Sequence, residues 1–481
     1  MLTRTRKVLY GAGDMSISLT VTIVGAYFAI FLTDVVGLAP GLAAIALFVG
    51  RSWDYVNDPL IGYLSDRTRS RWGRRRPWLL FGAVPFGIAF AMMWWRPPIQ
   101  ADAWLVVYYA AAYLLFDASV TVIYMPYVAL TPELTQDYDE RTSLTSYRMA
   151  FSILASLIAF VLPATIVGGF NPENISRVLT MGVVFGAASI APVLVTFAGT
   201  RERQEFREQA QPRLLASLKA AVRNRPFIFS AIMFLMTWMA INLLQSTLLY
   251  YIKYVLGREG QADLIMASIF VTALATLPIW LAVSNRSDKR RAYVVGLSFW
   301  AVVQIVLVVL NNASPLPMVL AMCVLAGVGV AAAHVLPWSI IPDAIEWDEW
   351  RTGERHEGMF YSLVTLAQKV ASSIVVPLAL LLLQATGYDT GEAVYTAEQG
   401  EQTVWAIRLL VGPIPALLLV GGIIFALFYP LDREEHHLVT RKLEERRATA
   451  GGGETAHTPP ATGGPDMNAA ESNGGGPEND V

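Results

Sequence analysis

An all-α membrane protein of twelve spans, arranged as two six-helix halves, is the fold class this sequence predicts. Three observations predict it. Hydrophobic residues make up 54% of the 481 and charged ones only 15%, against roughly 25% charged in soluble domains. Apolar runs recur along the chain, long enough at ~1.5 Å per residue to cross a bilayer core. Lys and Arg fall between these runs instead of on one soluble face, which argues for a lipid bilayer as partner and against nucleic acid.

The runs lie at 15–33, 40–64, 77–96, 103–131, 143–168, 176–199, 226–255, 262–284, 292–310, 316–341, 358–386 and 404–430. Ahead of the first, Arg4, Arg6 and Lys7 precede no small-residue cleavage site, so a retained helix is expected. With the N-terminus inside, the inner loops and tails hold 28 of the 36 Lys and Arg. Both termini are therefore expected on the cytoplasmic face of an inner or plasma membrane. Cys323 is the single cysteine, which excludes internal disulfides and thiolate metal sites.

The longest inner loop, 200–225, divides the chain into halves 1–199 and 226–430, followed by a tail, 431–481, whose Gly- and Pro-rich end is expected to be disordered. Internal similarity supports the division. Pro126-Tyr127 and Pro132-Glu133 close the fourth run as Pro337-Trp338 and Pro342-Asp343 close the tenth. Glu140-Arg141 precedes Tyr147 as Glu354-Arg355 precedes Tyr361. Two parallel six-helix repeats around a cavity are the arrangement of major facilitator transporters.

The polar residues inside the spans carry the functional argument. Arg51, Asp54, Asn57 and Asp58 share one side of the second run. Each buried charge costs about 2.5–3.5 kcal/mol on insertion scales, so the stripe should face a water-reached interior. Asp54 and Asp58 lie one turn apart and Asn57 adds a neutral carbonyl, the oxygen ligands a hard cation chooses. The bland alternative is an ion-pair network around Arg51, yet such a network does not need two acids for one base. Asp117, Thr121, Tyr124 and Val128 share a face of the fourth run, and Thr121 could add a hydroxyl to the cation; alone, it could as well bond back to its own helix. Arg148 and Lys369 are the remaining deep bases. Arg148 lies about two turns in from the cytoplasmic side, so snorkelling is the bland alternative for it, whereas Lys369 needs an acidic partner, and the Asp54/Asp58 face is the supplier. Asp66, Arg67, Arg71, Arg74, Arg75 and Arg76 fix topology and could latch the inner side through Glu133, Asp137 or Asp139. Arg141 belongs with these gating residues. His334, Asn242 and Gln245 read as helix–helix hydrogen-bonding groups.

Gly11-Ala12-Gly13-Asp14 matches the GxGD pattern of intramembrane aspartyl proteases, with Asp54 as the second acid. Asp14 stands at a helix entrance, however, and the protease reading ranks last; the chain is not expected to be an enzyme.

Thr33-Asp34-Val35-Val36-Gly37-Leu38, Trp53-Asp54-Tyr55-Val56-Asn57-Asp58-Pro59 and Arg71-Trp72-Gly73-Arg74-Arg75-Arg76-Pro77-Trp78 resemble the glycoside–pentoside–hexuronide:cation symporters, typified by melibiose permease. Met125-Pro126-Tyr127, Tyr147-Arg148 and the segment Tyr361 to Lys369 fit the same family. The resemblance implies a cation site of Asp54, Asn57, Asp58 and Thr121, with Arg148 and Lys369 beside the substrate. It also exposes departures: Ser18 and Tyr124 stand where that permease grips galactosyl hydroxyls with carboxylates, and Val128 replaces its stacking tryptophan. Asp117, Tyr124 and Trp338 would have to grip a sugar instead. Tyr147-Arg148-Met149, Leu336-Pro337-Trp338-Ser339 and Pro342-Asp343 also resemble the sodium-dependent lysophosphatidylcholine symporters, where an arginine can meet a phosphate and apolar walls such as Ile17, Val120 and Val128 an acyl chain. The expected function is import of a sugar or glycoside with Na⁺ or H⁺ by alternating access, a lysophospholipid-like amphiphile being the alternative. No cofactor besides the coupling cation, and no partner besides the small solute and the bilayer, is expected of a monomer.

Overall fold

The computed structural model describes residues 2–135, 138–202, 223–353, 357–390, 399–431 and 433–452. The side chains of Asp54, Asp66, Glu133, Asp139 and Arg141 lie outside the described set, as do Asp137, most of the 200–225 linker and the tail beyond 452.

The chain folds as α1 (Arg4–Ile30), α2 (Pro40–Ser52), α3 (Asp54–Arg67), α4 (Arg76–Met93), α5 (Asp102–Ala129), α6 (Thr131–Leu134), α7 (Tyr138–Val167), α8 (Ile175–Gly199), α9 (Arg225–Tyr250), α10 (Ala262–Arg286), α11 (Lys289–Leu307), α12 (Leu316–Thr352), α13 (Glu357–Ala385), α14 (Glu401–Val411), α15 (Pro413–Leu427) and α16 (Arg433–Gly452). Among the described residues there is no strand. Local chemistry sets several of these ends. Asn224 Oδ1 accepts from Phe227 N at 2.9 Å, and Asp288 Oδ1 accepts from Arg290 N at 3.1 Å, each satisfying a donor that a helix start leaves orphaned. Gly353, at φ 77°, ends α12 in the left-handed conformation glycine adopts without penalty.

Among the described residues, eleven helical segments are long and apolar enough to cross a membrane, and Pro40–Ser52 is a shorter apolar helix. The second span differs from the expected single helix: it is α2 and α3 joined at Trp53, beside the charged stripe. The last span is likewise divided at Gly412, where Pro413 has no N–H to continue the ladder.

Two turns repeat 220 residues apart. Phe31–Val35 and Tyr251–Val255 are π-helical, closed by Val36 N to Phe31 O at 2.9 Å and Leu256 N to Tyr251 O at 3.0 Å. Each is followed by a left-handed glycine, Gly37 at φ 87° and Gly257 at φ 63°.

Helices before residue 200 pack mainly on one another, α1 on α7 and α8, and α4 on α5 and α8. Those after 225 do the same, α10 and α11 on α12, and α9 on α13 and α15. Small residues permit the tightest crossings: a Cβ on Gly87 would lie 2.5 Å from the Gly186 carbonyl oxygen. The two sets meet through α2 against α13, α7 against α10 and α1 against α9. One end of the bundle carries the arginine-rich turn and both ends of the described chain, Leu2 and α16. There Leu2 N donates to Glu140 Oε1 at 2.5 Å, and Arg74, Arg75 and Arg76 present their backbone N–H groups to the Glu202 carboxylate at 2.7, 2.8 and 2.9 Å.

Candidate functional site

The second span delivers Asp58 and Asn57 to the seam between the two sets of helices. Asn57 is only 3% exposed, so its side of α3 is turned into protein. Asp58 Oδ1 accepts from Thr121 Oγ1 on α5 at 3.0 Å. Its Oδ2 meets Lys369 Nζ on α13 at 2.5 Å, an ion pair across the seam. Both side chains keep about a fifth of their surface accessible, 20% for Asp58 and 24% for Lys369, which places the pair in a cleft and not in a dry core. The amide nitrogen of Asn57 is buried with no hydrogen-bond partner.

Arg51 reinforces the same seam. Its Nε donates to Tyr113 OH at 2.6 Å and its Nη1 to the Ser372 carbonyl at 2.8 Å, about one turn beyond Lys369. Four oxygen-bearing groups, Asp54, Asn57, Asp58 and Thr121, thus belong to two adjacent helices, with an ammonium from the opposite set already on one carboxylate. Hard oxygen donors of this kind suit Na⁺ or Li⁺, and a carboxylate suits a proton as well. Asp117 lies half-buried on α5, one turn before Thr121.

A second cluster gathers where α1, α5 and α7 meet. Arg148 does not snorkel. It is 8% exposed and its Nη2 meets Asp14 Oδ1 at 3.2 Å, while its guanidinium lies 5.0 Å from the centroid of the Tyr127 ring. Tyr127 in turn stacks on Tyr10 at 4.9 Å. The Nε–H of Arg148 is buried without an acceptor, an unusual expense for a charged donor unless a ligand uses it. Ser18 and Ser152 bond each other at 2.5 Å one turn further along α1 and α7, and Tyr124 stands half-buried on α5. Across the seam Trp338 packs edge-on against Phe234 at 4.7 Å and parallel to Tyr361 at 6.4 Å. His334 bonds the Val330 carbonyl at 2.9 Å, and Gln245 bonds the Thr22 carbonyl of the other set at 3.3 Å.

The Arg67 guanidinium lies over Tyr63 and that of Arg71 over Trp72, at 4.1 and 4.2 Å. The Glu202 carboxylate accepts from the backbone of this turn, because the turn between α3 and α4 aims three consecutive N–H groups at one point; Glu133, Asp137 and Asp139, the acids expected to latch the arginines, lie outside the described side chains.

Sequence reasoning gave no role to Lys253. It is 1% exposed and its Nζ lies 2.7 Å from Oδ2 of the wholly buried Asp34. The repeat of Asp34-Val35-Val36-Gly37 as Tyr254-Val255-Leu256-Gly257 was the available signal.

Comparison with known proteins agrees with this architecture. The model of the family described as MFS/sugar transport protein matches residues 9–433. An uncharacterized symporter of Synechocystis is 32% identical, over 92% of this chain and 97% of its own. The sodium-dependent lysophosphatidylcholine symporter 1-A of Danio rerio is 31% identical, over 92% and 88%. Among solved structures, a D-xylose-proton symporter superposes with a TM-score of 0.62 at 15% identity, covering 89% of this chain and 97% of that one; at that identity the likeness is one of fold.

Proposed function

Since the chain belongs to the MFS/sugar transport protein family, and is thus a membrane transporter and not an enzyme, we propose that it is a cation-coupled symporter. The observation that carries this reading is the Lys369–Asp58 ion pair across the seam. Asp54, Asn57, Asp58 and Thr121 would hold the cation. In its absence the Lys369 ammonium takes the place of the positive charge on Asp58, so that this partly buried acid is never left unpaired. Arrival of Na⁺ or H⁺ neutralises Asp58 and frees Lys369, which belongs to the other set of helices. The charge state of the site thereby biases how residues 1–199 sit against residues 226–430, the bistable relationship that alternating access requires. The naming of several relatives as sodium-dependent symporters supports Na⁺. The Lys and Arg of the loops and tails support a cytoplasmic position for both termini in an inner or plasma membrane.

For the solute, the geometry favours an amphiphile with an anionic or zwitterionic head, the lysophospholipid-like class. Arg148 holds a buried donor in reserve, and the positions where a sugar grip would place acids carry Ser18, bonded to Ser152, and Tyr124. An anionic head would compete with Asp14 for the guanidinium and use its fork geometry. A sugar or glycoside is the second reading, supported by the paired hydroxyls of Ser18 and Ser152, the Trp338–Tyr361 platform and the family description. Counterflow in proteoliposomes with lysophospholipids, glycosides, pentosides and uronates, with and without Na⁺, tests both. Exchange of lysophospholipid alone supports the first reading and exchange of glycoside alone the second; exchange of none, whatever the cation, overturns symport of these solutes.

A further inference from the structure

At the bundle end opposite the termini, Asp34 is surrounded by donors. Its Oδ2 meets Lys253 Nζ at 2.7 Å and accepts from Tyr254 OH at 2.6 Å. Its Oδ1 accepts from Tyr388 OH at 2.5 Å and from Thr33 Oγ1 at 2.8 Å. Apart from Thr33, every one of these groups comes from the second set of helices: Lys253 and Tyr254 from the π-helical turn after α9, Tyr388 from the segment after α13. Lys253 Nζ returns the connection by donating to the Phe170 carbonyl of the first set at 2.7 Å. Glu259, 3.8 Å from that ammonium, accepts from Phe170 N at 2.7 Å. Thr33 and Tyr250 close the ring at 2.8 Å.

Four protein donors occupy the two oxygens of Asp34 and fill its acceptor capacity, which argues against a solute or cation site there. Its construction points elsewhere. The acid and its countercharge stand on the two equivalent π turns, each anchored by a left-handed glycine. Duplicated turns of this sort hold two side chains in facing, reproducible positions, while a neutral core would seal the end without any need for charge. Ionic and hydroxyl bonds give up their partners to water when the halves part, whereas an apolar seal would expose bare surface.

We propose that Asp34 is the latch of the gate at the end opposite the termini: bonds from Lys253, Tyr254 and Tyr388 hold that end shut, and all three must break when the cavity opens there. The inference rests on the alternating-access reading above, and Asp34 acts through the halves it joins, touching neither cation nor solute.

The test measures which end of the full-length protein is open. In a Cys323→Ala background, Ser156→Cys on α7 reports access to the seam, because Ser156 lies beside Thr22 there at 3.4 Å. A membrane-impermeant maleimide is applied from the latch side and from the termini side of sealed vesicles. Asp34→Asn and Lys253→Met should raise latch-side labelling at least tenfold and lower it from the other side. If both variants fold and label as the parent does, the latch is refuted. Should Asp34→Asn fail to fold, the double variant Tyr254→Phe, Tyr388→Phe keeps the ion pair and removes two donors. A several-fold rise in latch-side labelling then supports the proposal, and an unchanged rate overturns it. Labelling requires no known solute, so absence of cation-driven uptake would sink the symport reading while leaving this measurement decisive.

Discussion

Lys369 Nζ and Asp58 Oδ2 stand 2.5 Å apart across the seam between the two sets of helices. The pair joins the acidic stripe of the second span to the eleventh, and the proposed coupling runs through it. Removing the ammonium alone leaves Asp58 without its countercharge. Lys369→Ala should therefore weaken solute accumulation at least tenfold while cation binding persists or tightens, read as Na⁺-dependent thermal stabilisation of the purified protein. Unchanged accumulation with unchanged Na⁺ dependence would argue that the pair is only structural.

Arg148 offers a test of the solute's charge. Lysine keeps the charge but loses the planar fork and the Nε–H that is buried without an acceptor. Arg148→Lys is expected to weaken binding of an anionic-headed solute by roughly 1.5–3 kcal/mol, the worth of a charge-assisted hydrogen bond, about 10- to 150-fold in apparent affinity. A neutral glycoside should lose far less. Competition binding with both solute classes checks this.

The α4–α8 crossing predicts a stability effect remote from transport chemistry. A methyl on Gly87 would meet the Gly186 carbonyl oxygen at 2.5 Å, and a backbone atom cannot swing aside. Gly87→Ala should cost about 1–3 kcal/mol and lower the unfolding midpoint in detergent without altering cation specificity in the protein that survives.

The docking of α16 should depend on pH. His436 Nε2 meets Glu346 Oε2 at 2.9 Å and Asp343 Oδ1 at 3.4 Å. Asp343 also holds Lys289 at 2.5 Å. The hydrogen bond to Glu346, then the nearby Asp343 charge, raise the His436 pKa above its usual value. A raised folded-state pKa means the contribution is complete below the ordinary imidazole range and is lost as pH climbs through the raised value. Amide exchange across 433–452 should therefore quicken with rising pH beyond its intrinsic increase, and His436→Gln should abolish the excess.

Much of this was readable in the chain because membrane helices advertise themselves. The apolar runs, the stripe at Arg51–Asp58 and the need of Lys369 for an acid all follow from the cost of charge in a bilayer. What escaped was tertiary. Asp34 and Lys253 are more than two hundred residues apart, and each sits at the end of a span, where a charge costs little and invites no explanation. Arg148 was readable as deep, but its turn toward Asp14 depends on how α1 and α7 cross. Glu202 was not readable as an acceptor for the basic turn because three backbone N–H groups converge on it, and side-chain charge counting does not see backbone donors. The break at Trp53 lies inside the run 40–64 that reads as one span, and nothing in its periodicity marks it.

The most direct test of the coupled carrier is cation binding to the detergent-purified, solute-free protein, followed by ²²Na⁺ scintillation proximity in the parent and in Asp58→Asn. Saturable binding that Asp58→Asn abolishes, and that protons displace competitively, is the predicted result. Undiminished Na⁺ binding in a folded Asp58→Asn would contradict the account at its root.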